Sequence, residues 1–301
     1  MSLPLASEPL ARRVERALRD EFLRVALPRG TWRQYRARLE AMADLAEPDR
    51  WRQRARSIRA RTIAELDRYL AQLADSVEAR GGSVHWAGDA AEARAIVASI
   101  LAGAGARRVV KSKSMVTEEI GLNEHLQAQG CEVVETDLGE YVLQLAGEPP
   151  SHLVAPAIHK SREQVRQVLS RAAGAPLPDD ARALTAFARA QLRAKFLEAD
   201  AGISGANFAI AESGHIVLVT NEGNGRMVTS LPPLHIAIMG MERVVPTWED
   251  LGVLLEVLAR SATGQKLTVY TTFAGGPRQP GEVDGPEAFH LVIVDNGRSR
   301  L

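Results

Sequence analysis

Residues 108–136 read RVVKSKSMVTEEIGLNEHLQAQGCEVVET. The β-branched pair Val109-Val110 is followed by a helix-like stretch at 117–129, by Gly130, and by a second β-type run at 131–136. A strand, a helix and a strand at this spacing are typical of a parallel pair joined by a right-handed crossover. The segment therefore predicts an α/β fold with a mostly parallel sheet.

The segment Lys111-Ser112-Lys113-Ser114 stands where the first of these strands ends and the helix begins. The chain has only five lysines, and two of them are here. Backbone N–H groups, hydroxyls and ammonium groups at such a position bind anions at the edge of an open sheet. The alternative is a solvated strand end, because basic residues commonly finish strands at the surface. We predict an anion site whose residues are Lys111, Ser112, Lys113, Ser114, Glu118 and Asn123.

Residues 9–80 show no strand pattern and carry apolar residues at helical spacing. Breaks at 28–30 and 47–49 predict roughly three helices. Their arginines are interleaved with acids, which indicates a salt-bridged helix surface. We expect residues 1–80 to form a helical extension with a structural role, and residues 81–301 to form the α/β domain.

The rest of the α/β region alternates β-type and helical runs. Two apolar runs at 207–211 and 214–220, joined by a tight glycine turn, predict an antiparallel hairpin. Further helices are predicted at 90–103, 161–172, 179–199 and 250–262. Further strands are predicted at 83–86, 140–145, 153–154, 155–158, 234–239, 267–272 and 289–294.

Composition excludes several classes of function. Lysine plus arginine equals aspartate plus glutamate at 37 each, so no overall charge favours nucleic acid or a membrane surface. No run approaches the roughly 18–20 apolar residues of a membrane span, and the N-terminus lacks a secretory signal pattern, so we predict a cytoplasmic protein. Cys131 is the only cysteine, which rules out an internal disulfide and, within this chain, a cysteine-ligated iron–sulfur cluster.

Common cofactor motifs are missing from the sequence. It contains no Gly-x-Gly-x-x-Gly, Walker A or Gly-x-Ser-x-Gly pattern, and a nicotinamide, ATP or zinc enzyme of the common kinds is not expected. The seven histidines show no metal-ligand spacing, and we predict no metal site.

Two clusters contain candidate catalytic groups. His159 and Lys160 follow the predicted 155–158 strand and precede a helix. A histidine at such a position can bind an anion or act as a general acid–base. The alternative is a structural histidine. Glu212 lies in the turn between the two hairpin strands, where burial would raise its pKa and suit an acid, base or nucleophile. The alternative for Glu212 is a carboxylate that accepts hydrogen bonds from its own turn.

The segment at 220–226, TNEGNGR, is rich in residues that allow positive φ and close backbone approach. The planar guanidinium group of Arg226 can donate two hydrogen bonds to a carboxylate or phosphate. Asn-Gly turns are also common in β proteins without any function. The ligand-binding residues that we predict in this half of the chain are Lys160, Asn207, Thr220, Asn221, Asn224, Gly225 and Arg226.

Five segments together resemble one known family: KSKSMVTEEIGLN, TDLGEYVLQL, PSHLVAPAIHK, GANFAIAESGHIVLVTNEGNGRMVTSLPPLHIAIMG and DNGRSR. They are similar to the LUD (lactate utilization) domain of the lactate utilization protein B family, over about residues 50–301. The resemblance implies the fold shared by glucosamine-phosphate deaminases, ribose-phosphate isomerases and CoA transferases, a three-layer α/β sandwich with a mostly parallel sheet. It also implies a cytoplasmic multi-subunit system that oxidises L-lactate to pyruvate, with other lactate utilization subunits as partners.

In that family the chain continues into a region whose cysteines hold two [4Fe–4S] clusters, and electron transfer belongs to the whole system. The resemblance therefore implies clusters outside these residues and no cofactor within them, in either an excised domain or a naturally short member. We expect the KSKS segment, Glu212 and the 221–226 turn to form one pocket that binds an anion. There Lys111, Lys113 and Arg226 would neutralise a carboxylate or phosphate, and Glu212 would act on the ligand or position it.

Two other functions stay open. The first is a free-standing isomerase-like or acyl/CoA-transfer enzyme on an anionic substrate, with Glu212 as base or nucleophile. The second is a docking module whose arginine-rich helices mediate assembly with a partner subunit or as a homo-oligomer.

Overall fold

The computed structural model describes residues 9–151 and 155–300. The N-terminal part consists of helices α1 (Leu10–Arg19), α2 (Glu21–Ala43), α3 (Pro48–Ala64) and α4 (Leu66–Ala79). The predicted helical character and the break at 47–49 are confirmed. The predicted break at 28–30 is wrong, because α2 continues through Pro28. Within the described residues, no helix is both long enough and apolar enough to span a bilayer.

From residue 83 onward, strands and helices alternate. The first half contains β1 (Ser83–Ala87), α5 (Ala90–Gly103), β2 (Arg108–Lys111), α6 (Met115–Glu119), α7 (Leu122–Ala128), β3 (Glu132–Glu135), α8 (Leu138–Ala146), α9 (Arg162–Ala173), α10 (Ala181–Glu198) and β4 (Ala201–Gly205). The second half contains β5 (Phe208–Ile210), β6 (Ile216–Thr220), α11 (Asn224–Ser230), β7 (Leu234–Gly240), β8 (Val244–Val245), α12 (Trp248–Thr263), β9 (Tyr270–Ala274) and β10 (Ala288–Val294).

Six strands form a parallel sheet in the order β1-β10-β7-β4-β2-β3. Lys111, the last residue of β2, is in register with Glu135 of β3 on one side and with Ile203 of β4 on the other. After β3 the chain crosses to β4 on the opposite side of β2, so the strand order reverses at β2. Open α/β sheets bind ligands beyond the carboxyl ends of their strands at such a reversal.

Helices cover both faces of this sheet. On one face α5 and α7 pack Leu101 and Leu126 against Val109. On the other face α8–α10 pack against Val110, and Leu169 of α9 belongs to that cluster. The predicted α/β class, with a parallel sheet between helical layers, is confirmed.

A second sheet is mixed, in the order β8-β5-β6-β9. Its β5–β6 pair is the predicted antiparallel hairpin. One face of this sheet shares a core with α4 and the large sheet, where Ile216 lies with Leu73, Met239 and Leu291. The other face packs against α12 and α3. The two sheets are therefore fixed to each other by a common apolar core. Helix α4 lies before residue 80 and yet belongs to that core. The division of the chain at residue 80 into a helical extension and an α/β domain therefore stays a prediction.

Two predicted strands are wrong. Residues 140–145 belong to helix α8, which begins where the Asp137 carboxylate accepts the N–H of Gly139 and ends at Gly147 with φ 67°. Residues 155–158 form turns, in which the N–H of Ile158 donates to the carbonyl of Ala155. The strand predicted at 153–154 lies outside the described residues.

Several boundaries also differ from the prediction. The helix predicted at 117–129 is two helices separated at Gly121, which has φ 63°. The strand predicted at 267–272 begins only at Tyr270, and the predicted turn at 220–226 leads into helix α11. Strand β4 was not predicted, because its sequence AGISG contains two glycines and a single β-branched residue.

Candidate functional site

A cleft of about 400 Å³ opens at the carboxyl ends of β2, β4 and β7. It therefore lies where the strand order of the large sheet reverses, and the end of β6 from the small sheet forms one wall. Its volume is in the range of small-molecule sites. The predicted ligand residues that line it are Ser112, Lys113, Ser114, Asn207, Thr220, Asn221 and Asn224.

The floor of the cleft is built by strand ends that approach closely. A Cβ atom added to Gly205 at the end of β4 would lie 2.8 Å from Ser114 Oγ, so glycine is required for the two strand ends to meet. Ser114 Oγ also accepts the N–H of Thr117 at the start of α6. The Ser112 hydroxyl is buried and has no hydrogen-bond partner among the described residues. It is therefore available to a bound molecule.

Two asparagines present amide groups to the cleft. Asn207 Oδ1 accepts the N–H of Val219 at 2.9 Å, which ties the end of β4 to β6. Asn224, which begins α11, is buried and donates through Nδ2 to Thr136 Oγ1 at 3.3 Å. Both side chains are thus held in place before any ligand binds.

Lys113 supplies an ammonium group at the cleft. Its side chain is 25 % exposed, and Nζ lies 3.0 Å from Glu140 Oε1. Arg243 lines the same cleft and forms an ion pair with Glu242. Asp137 and Glu222 add carboxyl groups to the cleft lining, and Asp137 is a neighbour of Glu140. The cleft therefore combines cations, carboxyl groups, hydroxyls and amides at one sheet edge.

Glu140 is the most perturbed carboxyl group at this site. Burial raises the pKa of Glu140 to about 8, the neighbouring Asp137 carboxyl adds to the rise, and Lys113 opposes it. Its second oxygen, Oε2, is buried and has no hydrogen-bond partner in the described part of the chain. At neutral pH the group is mostly a neutral acid that can donate a proton or a hydrogen bond.

Lys111 differs from Lys113 although both belong to the KSKS segment. Its side chain is fully buried beneath the cleft, where Nζ lies 2.7 Å from Glu135 Oε1 and donates to Thr117 Oγ1 at 3.0 Å. Glu118 is a second, longer partner at 3.4 Å. Burial lowers the pKa of Lys111, but Glu135 and Glu118 together raise it above its ordinary value. Its charge is already neutralised, so the geometry does not favour direct contact with a ligand.

A family model described as the LUD domain matches residues 70–294. The chain belongs to the LUD domain family. The resemblance predicted from the five segments is confirmed. The whole chain is similar to Lactate utilization protein B of Shouchella clausii (51 % identical over 302 residues, 64 % of that protein) and of Bacillus subtilis (49 % over 302 residues, 63 %). The chain thus spans somewhat less than two thirds of the length of these relatives.

One solved structure is also similar. The crystal structure of a DUF162 family protein from Deinococcus radiodurans superposes with a TM-score of 0.42 at 18 % sequence identity, over 76 % of this chain and 98 % of that one.

Glu212 lies away from the LUD cleft. It is exposed in the turn that precedes β6, whereas the cleft lies beyond the other end of that strand. Its Oε1 accepts the N–H of Trp248 at 2.7 Å, which caps the start of α12. The expected burial of this carboxylate is wrong, because the Glu212 side chain faces solvent although Ala211 and Gly214 of the same turn are buried against α4. The geometry therefore gives no support to Glu212 as base or nucleophile in the same pocket as Lys113.

His159 and Lys160 also lie outside the cleft lining. Nε2 of His159 is 3.1 Å from Glu148 Oε2, and Nδ1 is 2.7 Å from Ser151 Oγ. Lys160 pairs with the same Glu148 carboxylate. The cluster ties the segment after α8 to the start of α9, which matches the structural alternative for this histidine.

The remaining predicted residues are placed by helices. Arg226 is exposed on α11 and is not part of the cleft lining, and Gly225 is buried in the same helix. Asn123 donates to Glu135 Oε1 at 2.6 Å and so belongs, with Glu118, to the network around Lys111. Sequence reasoning missed Asp137, Glu140, Glu222 and Arg243. The spacing Asp137-x-x-Glu140, typical of a helix start, was the signal for the first two.

The iron–sulfur clusters implied by the resemblance do not fit these residues. A [4Fe–4S] cluster is held by four cysteine thiolates, and this chain has only Cys131, which is half-buried. In the described part of the chain, no group of three or more histidine, cysteine, aspartate or glutamate residues could hold a metal ion. No step through a metal group is therefore derived for this domain.

Proposed function

We propose that this chain is the LUD-domain part of a lactate utilization protein, in a system that oxidises L-lactate to pyruvate, and that its cleft binds a small 2-hydroxy- or 2-oxocarboxylate. Lysine ammonium and arginine guanidinium groups would bind the carboxylate of such a ligand. Hydroxyls, amides and a neutral carboxyl group would bind its second oxygen. Support for the lactate system comes from the relatives named Lactate utilization protein B.

One observation carries the ligand class. Lys113 is partly exposed at the cleft and its nearest partner, Glu140, is mostly uncharged at neutral pH because burial raises its pKa to about 8. Because Glu140 is mostly protonated, it offsets less of the Lys113 charge than an ionised carboxylate would. The Ser112 hydroxyl, buried without a partner among the described residues, can bond the ligand's hydroxyl or keto oxygen.

The test is a thermal-shift and calorimetric titration of the chain with L-lactate and pyruvate. Propionate, which lacks the 2-oxygen, and lactamide, which lacks the negative charge, are the matched ligands. We expect L-lactate or pyruvate to raise the melting temperature, and propionate and lactamide to raise it much less.

The test variant is Lys113→Met, because it removes the ammonium group and keeps a side chain of similar length. We expect this variant to lose the shift. Lys195→Met is the control, since Lys195 pairs with Glu132 at the start of β3, which is the opposite edge of the sheet from the cleft. A shift that persists in Lys113→Met, or no shift with any of these ligands, would reject the proposed site.

We propose further that the two [4Fe–4S] clusters and the partner subunits of the system act outside these residues, in the cytoplasm. Support comes from the resemblance and from the single cysteine of this chain. In this arrangement the LUD domain binds the small anion, and electrons pass through clusters that another part of the assembly holds.

A further inference from the structure

Helix α2 is firmly held along one side. Arg260 of α12 donates through Nη1 to the carbonyl of Ala41 at 2.7 Å. At the end of α12, a Cβ atom added to Gly264 would lie 2.4 Å from the backbone of Ala37, so the two helices are in close contact. Lys266, just beyond α12, pairs with Asp44 at 2.5 Å. The position of α2 on the domain is therefore defined by packing.

The opposite side of α2 carries large apolar residues that face solvent. Val25, Trp32 and Leu39 are 66 %, 59 % and 51 % exposed, and they follow one another at intervals of seven residues. Pro28 and Tyr35 fall between them, which completes a repeat of alternating three and four residues. These five residues are the α2 seam. This spacing is that of a helix surface which packs against a second helix.

The two aromatic residues at the centre of the α2 seam are in contact with each other. The rings of Trp32 and Tyr35 stack with centroids 5.5 Å apart, and the Arg36 guanidinium lies 5.9 Å from the Trp32 ring. Exposed tryptophan, tyrosine and arginine side chains are the residues that most often carry binding energy in protein interfaces.

Four arginines flank the α2 seam: Arg24, Arg29, Arg36 and Arg38. They occupy the positions that, in paired helices, contact the charged edges of the partner and determine which partner is accepted. All four are exposed, and in the part of the chain that the structure describes none of them has an acidic partner within ion-pair distance. The edges of the seam therefore carry uncompensated positive charge.

We propose that the α2 seam is the docking surface for an amphipathic helix of a partner protein, with apolar residues along its centre and glutamate or aspartate along its edges. The apolar centre would cover Trp32 and its neighbours, and the acidic edges would pair with the four arginines. This surface is distinct from the cleft and does not depend on the ligand proposed there.

The charges on the seam argue against two other occupants. A second copy of the chain packed seam to seam would place arginine edges against arginine edges, which is unfavourable. An anionic lipid surface would also meet the exposed carboxylates of Glu21 and Glu40 at the two ends of the helix. An acidic helix fits both the apolar and the charged part of the surface.

The test uses the full chain and two synthetic helical peptides of about three heptads with leucine at the central positions. One peptide carries glutamate at the flanking positions, and the other carries lysine there. We expect the chain to bind the glutamate peptide at least about 10-fold more tightly than the lysine peptide, and this difference to shrink as salt screens the charges.

Two variants probe the seam itself. Trp32→Glu/Leu39→Glu should weaken binding of the glutamate peptide by about 10-fold or more, as expected when central interface residues are lost. Leu197→Glu, which changes an exposed leucine on α10, should not weaken it. Reversal of all four arginines to glutamate should switch the preference to the lysine peptide. That gain of binding cannot arise from unfolding.

Four outcomes would overturn the proposal. The first is no binding of the glutamate peptide, and the second is equal binding of both peptides. The third is a dimer of the chain in sedimentation analysis that Trp32→Glu/Leu39→Glu dissociates. The fourth is co-sedimentation with phosphatidylglycerol vesicles that the same variant abolishes, which would assign the seam to a membrane surface.

Discussion

Lys111 and Lys113 are two residues apart, yet their ammonium groups have opposite surroundings. Lys111 is the last residue of β2, so its side chain points into the layer between the sheet and α6–α7, where Glu135 and Glu118 neutralise it. Lys113 lies beyond the strand end and reaches the cleft. The sequence motif is the same for both, and only the position of the strand end separates a structural lysine from a candidate ligand-binding one.

Replacement of Lys111 by methionine should destabilise the protein strongly. The change leaves the buried Glu135 carboxylate without its cation, and loss of one member of a buried ion pair costs about 3–5 kcal/mol. Urea unfolding of the Lys111→Met variant measures this loss. Lys195→Met is the matched control, because Lys195 pairs with Glu132 at the surface and such pairs contribute about 0–1 kcal/mol. A loss of less than about 1 kcal/mol for Lys111→Met would contradict the structure of this network.

The raised pKa of Glu140 should make the free energy of unfolding fall as the pH rises. Its pKa is about 8 in the folded protein against an ordinary value of 4.5, so between these values the folded state binds a proton that the unfolded state does not. The stability that this proton contributes is complete below about pH 4.5 and is lost as the pH approaches about 8. We therefore expect the Glu140→Gln variant to gain stability relative to the parent protein over this range.

Melting temperatures of the parent and Glu140→Gln at several pH values provide the measurement. Glu249→Gln, at an exposed position near the start of α12, is the control and should follow the parent at every pH. Parallel curves for the parent and Glu140→Gln would show that the carboxyl group at the cleft is ionised in the normal way.

At the scale of single elements, the sequence predicts those with strong patterns and misses those that depend on packing. The hairpin β5–β6 and the helices α5, α9 and α12 have clear periodicity and were predicted. Helix α8 was mistaken for a strand because Tyr141, Val142 and Leu143 form a continuous apolar run that is buried throughout, with Tyr141 and Val142 in the cluster formed with α9 and α10. A short apolar run does not distinguish a strand from a buried helix.

The contact between α11 and β4 should not tolerate a side chain at Gly202. A Cβ atom there would lie 2.0 Å from the backbone carbonyl oxygen of Val228, so α11 would have to move away from the sheet. We expect Gly202→Ala to cost about 3 kcal/mol, the upper end of the usual cost of overpacking, in a chemical unfolding experiment.

Gly252→Ala is the matched change for this prediction. Gly252 lies in α12, where an added Cβ meets nothing within 4 Å, and alanine stabilises a helix interior by about 0.5–1 kcal/mol relative to glycine. If both alanine variants had the same stability, the close approach of α11 to β4 would be wrong.

At the scale of the whole molecule, the rule that ligands bind at the carboxyl edge of a parallel sheet located most of the cleft. Ser112 and Lys113 were predicted because they follow a strand run that the sequence shows, and Asn207 stands at the start of the predicted hairpin. Glu212 was misplaced because the sequence does not reveal which end of a hairpin faces the large sheet. Arg243 was missed because it follows a long buried strand through a short turn that carries no motif.

The shared core of the two sheets has a consequence for how a molecule could enter the cleft. One wall belongs to the small sheet and the floor to the large one, and both are locked by the cluster that contains Leu73, Ile216 and Met239. A hinge between these layers would have to expose that cluster to water. A ligand must therefore fit the size and charge of the cleft as it stands, without movement of one sheet against the other.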